Sequence, residues 1–211
     1  MALNQTTDQL GQTGGRSADL EYRRIVRVCV FCGSSTGSDP AYGEAAARVG
    51  RTLAERGAGL VYGGASVGTM GLVADAALAA GGDVVGVIPQ SLVDREVAHA
   101  GLTDLRVVPG LHERKAAMAD LADAFLTLPG GAGTLEELFE VFTWAQLGLH
   151  TKPIALLDVR GYYQPMLRFL ENMSAEGFLD PTYREMLIVE SDIDRVMERF
   201  ADYRPPPSKW E

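Results

Sequence analysis

The sequence predicts a doubly wound α/β domain, a parallel β-sheet covered by helices on both faces. Apolar, strand-like runs alternate with segments of helical period along the chain. These runs are apolar throughout rather than at every second residue, the pattern of strands buried on both sides. Glycine- or serine-rich turns follow three of them: CGSSTG (32–37), YGGASVGTMG (62–71) and PGGAG (129–133). In open sheets of this kind ligands sit beyond the carboxyl ends of the strands.

IVRVCVF (25–31) opens the sheet and precedes the helix AYGEAAARVGRTLAERG (41–57). GLVYGG (59–64) precedes MGLVADAALAAG (70–81), and DVVGVIP (83–89) follows. After a polar segment come the strand LRVVPG (105–110) and the helix HERKAAMADLADA (112–124). FLTLPGG (125–131) leads into TLEELFEVFTWAQLG (134–148), then KPIALLD (152–158) and YYQPMLRFLENMSAEGF (162–178). A last strand, MLIVES, and helix, DIDRVMERF, close the chain.

A length of 211 residues suits one domain with a sizeable core. We expect a disordered, polar tail at 1–22, the domain at 23–203 and a loose C-terminal tail at 204–211. The net charge of -9 argues against nucleic acid as a partner, since that surface wants a basic stripe. No apolar run approaches the roughly 20 residues of a membrane span, and no hydrophobic signal region opens the chain. The expected location is cytoplasmic. Cys29 and Cys32 form C-x-x-C inside a strand rather than at a helix start, so they read as small core residues, not a redox pair. No Cys/His spacing suggests a metal site; His99, His112 and His150 are scattered.

The glycine turns point to a mononucleotide. The first turn is GSSTG rather than G-x-G-x-x-G, and no acid follows the second strand to hold a ribose. No turn contains the GK[ST] of a P-loop. Amides at the start of the helix behind PGGAG would hold a phosphate.

That helix carries Glu136 and Glu137 in its first turns. Thr134 with Glu137 reads as a capping box, T-x-x-E, which by itself explains the acid. The other reading is catalytic. Consecutive helix positions diverge by about 100°, so at most one of the two glutamates serves a site. Upstream, LHERK places Arg114 and Lys115 at a helix start, electrically the wrong end for cations. Arg114 also shares a face with Ala117, Met118 and Leu121, the stripe that packs inward, and a local rule broken in this way points to function. A carboxylate beside a ribose C1′ suits N-glycosidic cleavage, whose transition state resembles an oxocarbenium ion.

LHERK followed by PGGAGTLEE resembles the R-K and PGGxGTxxE signatures of the Lonely Guy (LOG) family, the cytokinin riboside 5′-monophosphate phosphoribohydrolases. The resemblance spans roughly 25–190 and takes in CGSS, YGG, VGTMG, ELFEVFTWAQLG and KPIALLDVRGYY. It implies a Rossmann-like nucleotide-binding fold that hydrolyses N6-substituted AMP to the free base and ribose 5-phosphate, with no metal or organic cofactor. It implies Arg114 and Glu137 as the catalytic pair. The loop Gly130, Gly131, Ala132, Gly133 and Thr134, with Leu135 and Glu136, becomes the expected phosphate and substrate contact. Ser34, Gly63, Gly64, Met70, Glu96, Lys115 and Thr143 are the further substrate-binding candidates. Members are homodimers or larger assemblies; helix 134–148, with Trp144, reads either as such an interface or as core. Leu111 stands where members often carry Met, and the long N-terminal tail is outside the common pattern.

Two alternatives stay open on the residues. One is a broader purine or AMP nucleosidase; the other is a non-catalytic nucleotide or cofactor carrier on the same fold. Lysine decarboxylase, a label often given to such chains, fits badly. A Schiff-base enzyme needs a dedicated lysine, and the lysines here are Lys115, Lys152 and Lys209, none behind a cofactor-like motif.

Overall fold

The structure, a computed structural model, describes residues 25–95 and 97–209. The tail expected at 1–22 and the candidate Glu96 lie outside the described residues.

Seven strands form one parallel sheet: β1 (Arg27–Phe31), β2 (Gly59–Tyr62), β3 (Val84–Pro89), β4 (Asp104–Val108), β5 (Ala124–Thr127), β6 (Ile154–Leu157) and β7 (Leu187–Glu190). Their spatial order is β4-β3-β2-β1-β5-β6-β7. The chain therefore starts in the middle, winds outward to β4, returns beside β1 as β5, and winds outward the other way. Winding reverses between β1 and β5, paired in register from Val28 with Ala124 to Phe31 with Thr127. Loops leaving these two strands must diverge to opposite faces, which opens a crevice at their carboxyl ends.

The helices are α1 (Pro40–Glu55), α2 (Gly68–Ala79), α3 (Gln90–Val93), α4 (Leu111–Leu121), α5 (Ala132–Gln146), α6 (Gln164–Ala175), α7 (Pro181–Glu185) and α8 (Ile193–Ala201). Alternation along the strands divides the core into two layers. Val28, Val30, Ala124 and Leu126 face α1, α2 and α8; Cys29, Phe31, Phe125 and Leu156 face α4, α5 and α6. Leu53 and Phe200 in the first layer and Leu138 and Leu170 in the second are essentially sequestered from water. Each such side chain contributes about 1.5–3 kcal/mol by burial. The three-residue spacing of Cys29 and Cys32 puts them in different layers, as buried free thiols.

Short helices α3 and α7 carry no period long enough to read from sequence. More consequential is the start of α5. It begins at Ala132, two residues before the expected Thr134, and its N-cap is Gly131, with no side-chain cap. The capping-box reading is thereby corrected: Thr134 is already inside the helix. Its side chain turns back under the preceding turn, and a Cβ on Gly130 would lie 2.2 Å from Thr134 Oγ1. The segment after α8 has no regular structure through residue 209, but the Lys209 amide donates to the Gln146 carbonyl (3.0 Å), tying it to the end of α5.

Candidate functional site

The crevice between β1 and β5 holds a cavity of about 250 Å³ lined by Cys32, Ser34, Met70, Arg114, Glu137 and residues 131–134. A neighbouring hollow of about 290 Å³ shares Ser34 and Gly131 with it and extends to the loop at 33–37, Gly130, Tyr42 and Tyr162. Together they form one cleft across the point where winding reverses.

Because no side chain caps α5, the first-turn N–H groups at Ala132, Gly133 and Thr134 remain free of a side-chain partner. The first intrahelical bond runs from the Leu135 amide to the Gly131 carbonyl (3.2 Å). A Cβ built on Gly131 or Gly133 meets nothing within 4 Å, so these positions open onto the cleft. Free amides at the positive end of a helix dipole make an anion site.

Arg114, in the second turn of α4, enters the cleft from the side opposite α1. Its Nε donates to the Val87 carbonyl within β3 (3.2 Å), and its terminal nitrogen lies 3.2 Å from Glu137 Oε1. Both side chains are almost wholly buried, at 12% and 11% exposed. The inward placement follows from the period that puts Arg114 on the stripe of Met118. Gly63 makes room for it: a Cβ there would sit 2.0 Å from the guanidinium nitrogen and 2.4 Å from the Met70 methyl.

Burial pushes the Glu137 carboxyl above its ordinary value; the Arg114 charge opposes that, Glu136 adds to it, and Lys115 opposes it again. Desolvation wins over the guanidinium. The same burial, reinforced by Glu137, drives the Cys32 thiol up to about 12, so it faces the cleft as a neutral thiol.

Ser34, Met70, Gly130, Gly131, Ala132, Gly133, Thr134, Arg114 and Glu137 are thus brought together in the cleft. Gly63 lies beneath Arg114, and Gly64 takes a positive φ of 75° behind it. Leu135 packs into the α5 core layer. Lys115 and Glu136 pair with each other, and Lys115 also reaches Glu140. Thr143 donates to the Phe139 carbonyl (2.7 Å) two turns beyond Glu137, away from the cleft lining. The sequence reading did not single out Tyr42, Tyr162 or Thr69. The Thr69 hydroxyl bridges the amide and carbonyl of Gly33, bracing the loop after β1 (2.9 and 3.0 Å). An aromatic pair in GYY directly after a strand was the available signal for Tyr162; Tyr42 offered none.

The family described as "Possible lysine decarboxylase" matches residues 70–200. A cytokinin riboside 5′-monophosphate phosphoribohydrolase of Arabidopsis thaliana is 48% identical over 182 residues, covering 86% of this chain and 84% of the relative. One from Oryza sativa subsp. japonica is 49% identical, covering 86% and 75%. The chain belongs to the Lonely Guy family. Among solved structures, the molybdenum cofactor carrier protein of Chlamydomonas reinhardtii matches at a TM-score of 0.64 and 19% identity, over 85% of this chain and all of that one. At that identity the likeness shows the α/β fold alone.

The decarboxylase description of the family does not fit the lysines of this Lonely Guy member. A Schiff base needs a free amine in the site. Lys115 is clasped by two carboxylates and Lys152 donates to the Ala119 carbonyl (2.7 Å); neither they nor Lys209 line the cleft.

Proposed function

We propose that this protein hydrolyses the N-glycosidic bond of N6-substituted adenosine 5′-monophosphates, the cytokinin riboside 5′-monophosphates, to a free base and ribose 5-phosphate. The observation that carries this is the buried Arg114–Glu137 pair, one helical turn behind uncapped amides in the same cleft. The activity named for relatives nearly half identical over most of the chain supports the same reading.

The 5′-phosphate sits on the amides of Ala132, Gly133 and Thr134. Glu137 lies four residues on from Gly133, about 6 Å along the helix axis, roughly the span from a phosphate to its sugar's C1′. As the C1′–N9 bond breaks, its electron pair leaves with the base and positive charge grows on C1′ and the ring oxygen. The Glu137 carboxylate faces that charge and takes the proton of the water that attacks C1′; the departing base gains one proton in turn, so that the carboxylate is restored and the base is released neutral. A carboxyl raised by burial is a better base than an exposed one. Arg114, fixed through Val87, holds the carboxylate in register. The reaction as proposed draws on no metal or organic cofactor.

We further propose a homodimer working in the cytoplasm. Leu147 and Leu149 at the end of α5, and Phe169 and Phe178 around α6, leave apolar surface exposed for a second copy. Light scattering checks the assembly.

Incubation with isopentenyladenosine monophosphate, its nucleoside and AMP, followed by chromatography of free base, tests the reaction. Release from the monophosphate is expected, with little from the nucleoside and a slower rate from AMP. Equal release from the nucleoside would remove the phosphate cradle, and AMP hydrolysed as fast as the substituted nucleotide would make this a general AMP nucleosidase. Glu137→Gln is expected to abolish turnover while nucleotide binding persists.

A further inference from the structure

We infer that Lys115 serves the reaction without touching substrate: it is a positioning residue that pins α4 to α5 and offsets one of the two negative charges flanking Glu137. This rests on the proposed hydrolysis.

Lys115 follows Arg114 on α4, so the two side chains leave the helix about 100° apart. With Arg114 in the cleft, Lys115 is directed along its outer side. Its ammonium pairs with Glu136 Oε1 and lies 3.0 Å from Glu140 Oε1, and only 10% of the side chain is exposed. Glu136 and Glu140 stand four residues apart on α5, where like charges destabilise a helix. A single cation between them removes that repulsion. Glu140 Oε2 is buried and has no hydrogen-bond partner, so Lys115 is the group that makes this carboxylate tolerable there.

The arrangement forms two parallel bridges between the same helices. Arg114–Glu137 lies in the cleft; Lys115–Glu136/Glu140 lies behind it. The second fixes the spacing that the first needs. It also sets the charge around Glu137. Facing that carboxyl are Arg114 and Lys115 from α4, Glu136 and Glu140 from its own helix, and the thiols of Cys29 in β1 and Cys32 just after it. Without Lys115, two uncompensated negative charges remain beside Glu137 and favour its protonated, inactive form.

The test is the pH profile of kcat/KM for isopentenyladenosine monophosphate. Lys115→Met is expected to move the acid limb up by roughly half a pH unit or more. Lys115→Arg keeps the charge and leaves the limb near its native position. In Lys115→Met/Glu136→Gln/Glu140→Gln one cation and two anions are lost, a net gain of one positive charge, so the limb falls back to its native position or below it. If Lys115→Met prevents folding, Glu136→Gln/Glu140→Gln alone carries the test: an uncompensated lysine moves the limb down. An unmoved limb in Lys115→Met, or in Glu136→Gln/Glu140→Gln where Lys115→Met does not fold, overturns the inference. So does a rise in KM that persists in the triple variant, since that is the mark of a lysine bound to substrate. Absence of base release by the native protein would instead sink the proposed reaction, leaving the two failures distinct.

Discussion

The Arg114 guanidinium stands 3.2 Å from the Glu137 carboxylate, and both side chains are nearly nine-tenths withdrawn from water. The two belong to helices that follow different strands, α4 after β4 and α5 after β5. A buried ion pair is a poor stabiliser, because desolvation consumes much of the Coulomb gain. Here desolvation outweighs the guanidinium and leaves the carboxyl with a raised pKa. Such a pairing makes physical sense as chemistry held ready rather than as a fastening.

The raised carboxyl gives a stability signature with a definite sign. Its folded pKa exceeds the ordinary 4.5, so between those values the folded state binds more protons than the unfolded one. Stability from this group is present at low pH and is lost as pH rises through the folded pKa. Glu137→Gln cannot titrate. The melting temperature of Glu137→Gln minus that of the native protein is expected to climb as pH rises from about 4.5, and differential scanning calorimetry reads it. A flat difference would mean the carboxyl is not raised.

Gly63 tests how closely the arginine must be placed. A methyl group there would sit 2.0 Å from the Arg114 nitrogen and 2.4 Å from the Met70 methyl, both ends of flexible side chains. Gly63→Ala is therefore expected to fold and to displace the guanidinium. Misplacement by about 1 Å costs on the order of 100-fold in rate. Steady-state kinetics with the melting temperature as control separates lost chemistry from lost fold; native kcat would show that Arg114 needs no such clearance.

Much of this was legible in the chain itself. Apolar runs marked the strands, although the edge strand β4 is exposed along most of its length rather than buried on both faces, and the inward stripe through Met118 marked Arg114 as misplaced for a surface cation. What escaped were features made by contact across elements. The Val87 carbonyl that holds Arg114 is backbone, with no residue-type signal. The uncapped start of α5 was masked because T-x-x-E satisfies a local rule, while tertiary packing put Thr134 under Gly130 instead. The lysine clasp joins residues 21 and 25 positions apart, and charge type alone does not reveal which acids a cation meets.

Two neighbouring tyrosines divide the work of holding the turn ahead of α5. The Tyr163 hydroxyl, buried, donates to the Leu128 carbonyl, and the Tyr162 hydroxyl, exposed, donates to the Gly130 carbonyl, each at 2.6 Å. Tyr163→Phe strands a carbonyl in the core and is expected to cost about 1–3 kcal/mol in urea unfolding. Tyr162→Phe leaves a carbonyl that water can reach, so stability should change by less than about 1 kcal/mol. Its expected effect, if that turn holds the phosphate as proposed, is a several-fold rise in KM for the monophosphate.

The glycines of that turn divide in the same way, and the division separates a cradle from a simple bend. Gly130 is closed off by Thr134, and a Cβ there would lie 2.2 Å from its hydroxyl and 2.7 Å from its Cβ. Gly130→Ala must push Thr134 aside, so a loss of about 1–3 kcal/mol is expected from overpacking. Gly131 and Gly133 face open space, where alanine fits without strain. Gly133→Ala even favours the helix by about 1 kcal/mol, since alanine is the better helix former. If the open face is where phosphate lies against the amides, the added methyl group must still stand between them. Gly133→Ala is then expected to melt no lower than the native protein yet bind the 5′-monophosphate at least tenfold more weakly, by titration calorimetry. A variant that is stabilised and binds as before would place the phosphate elsewhere in the cleft.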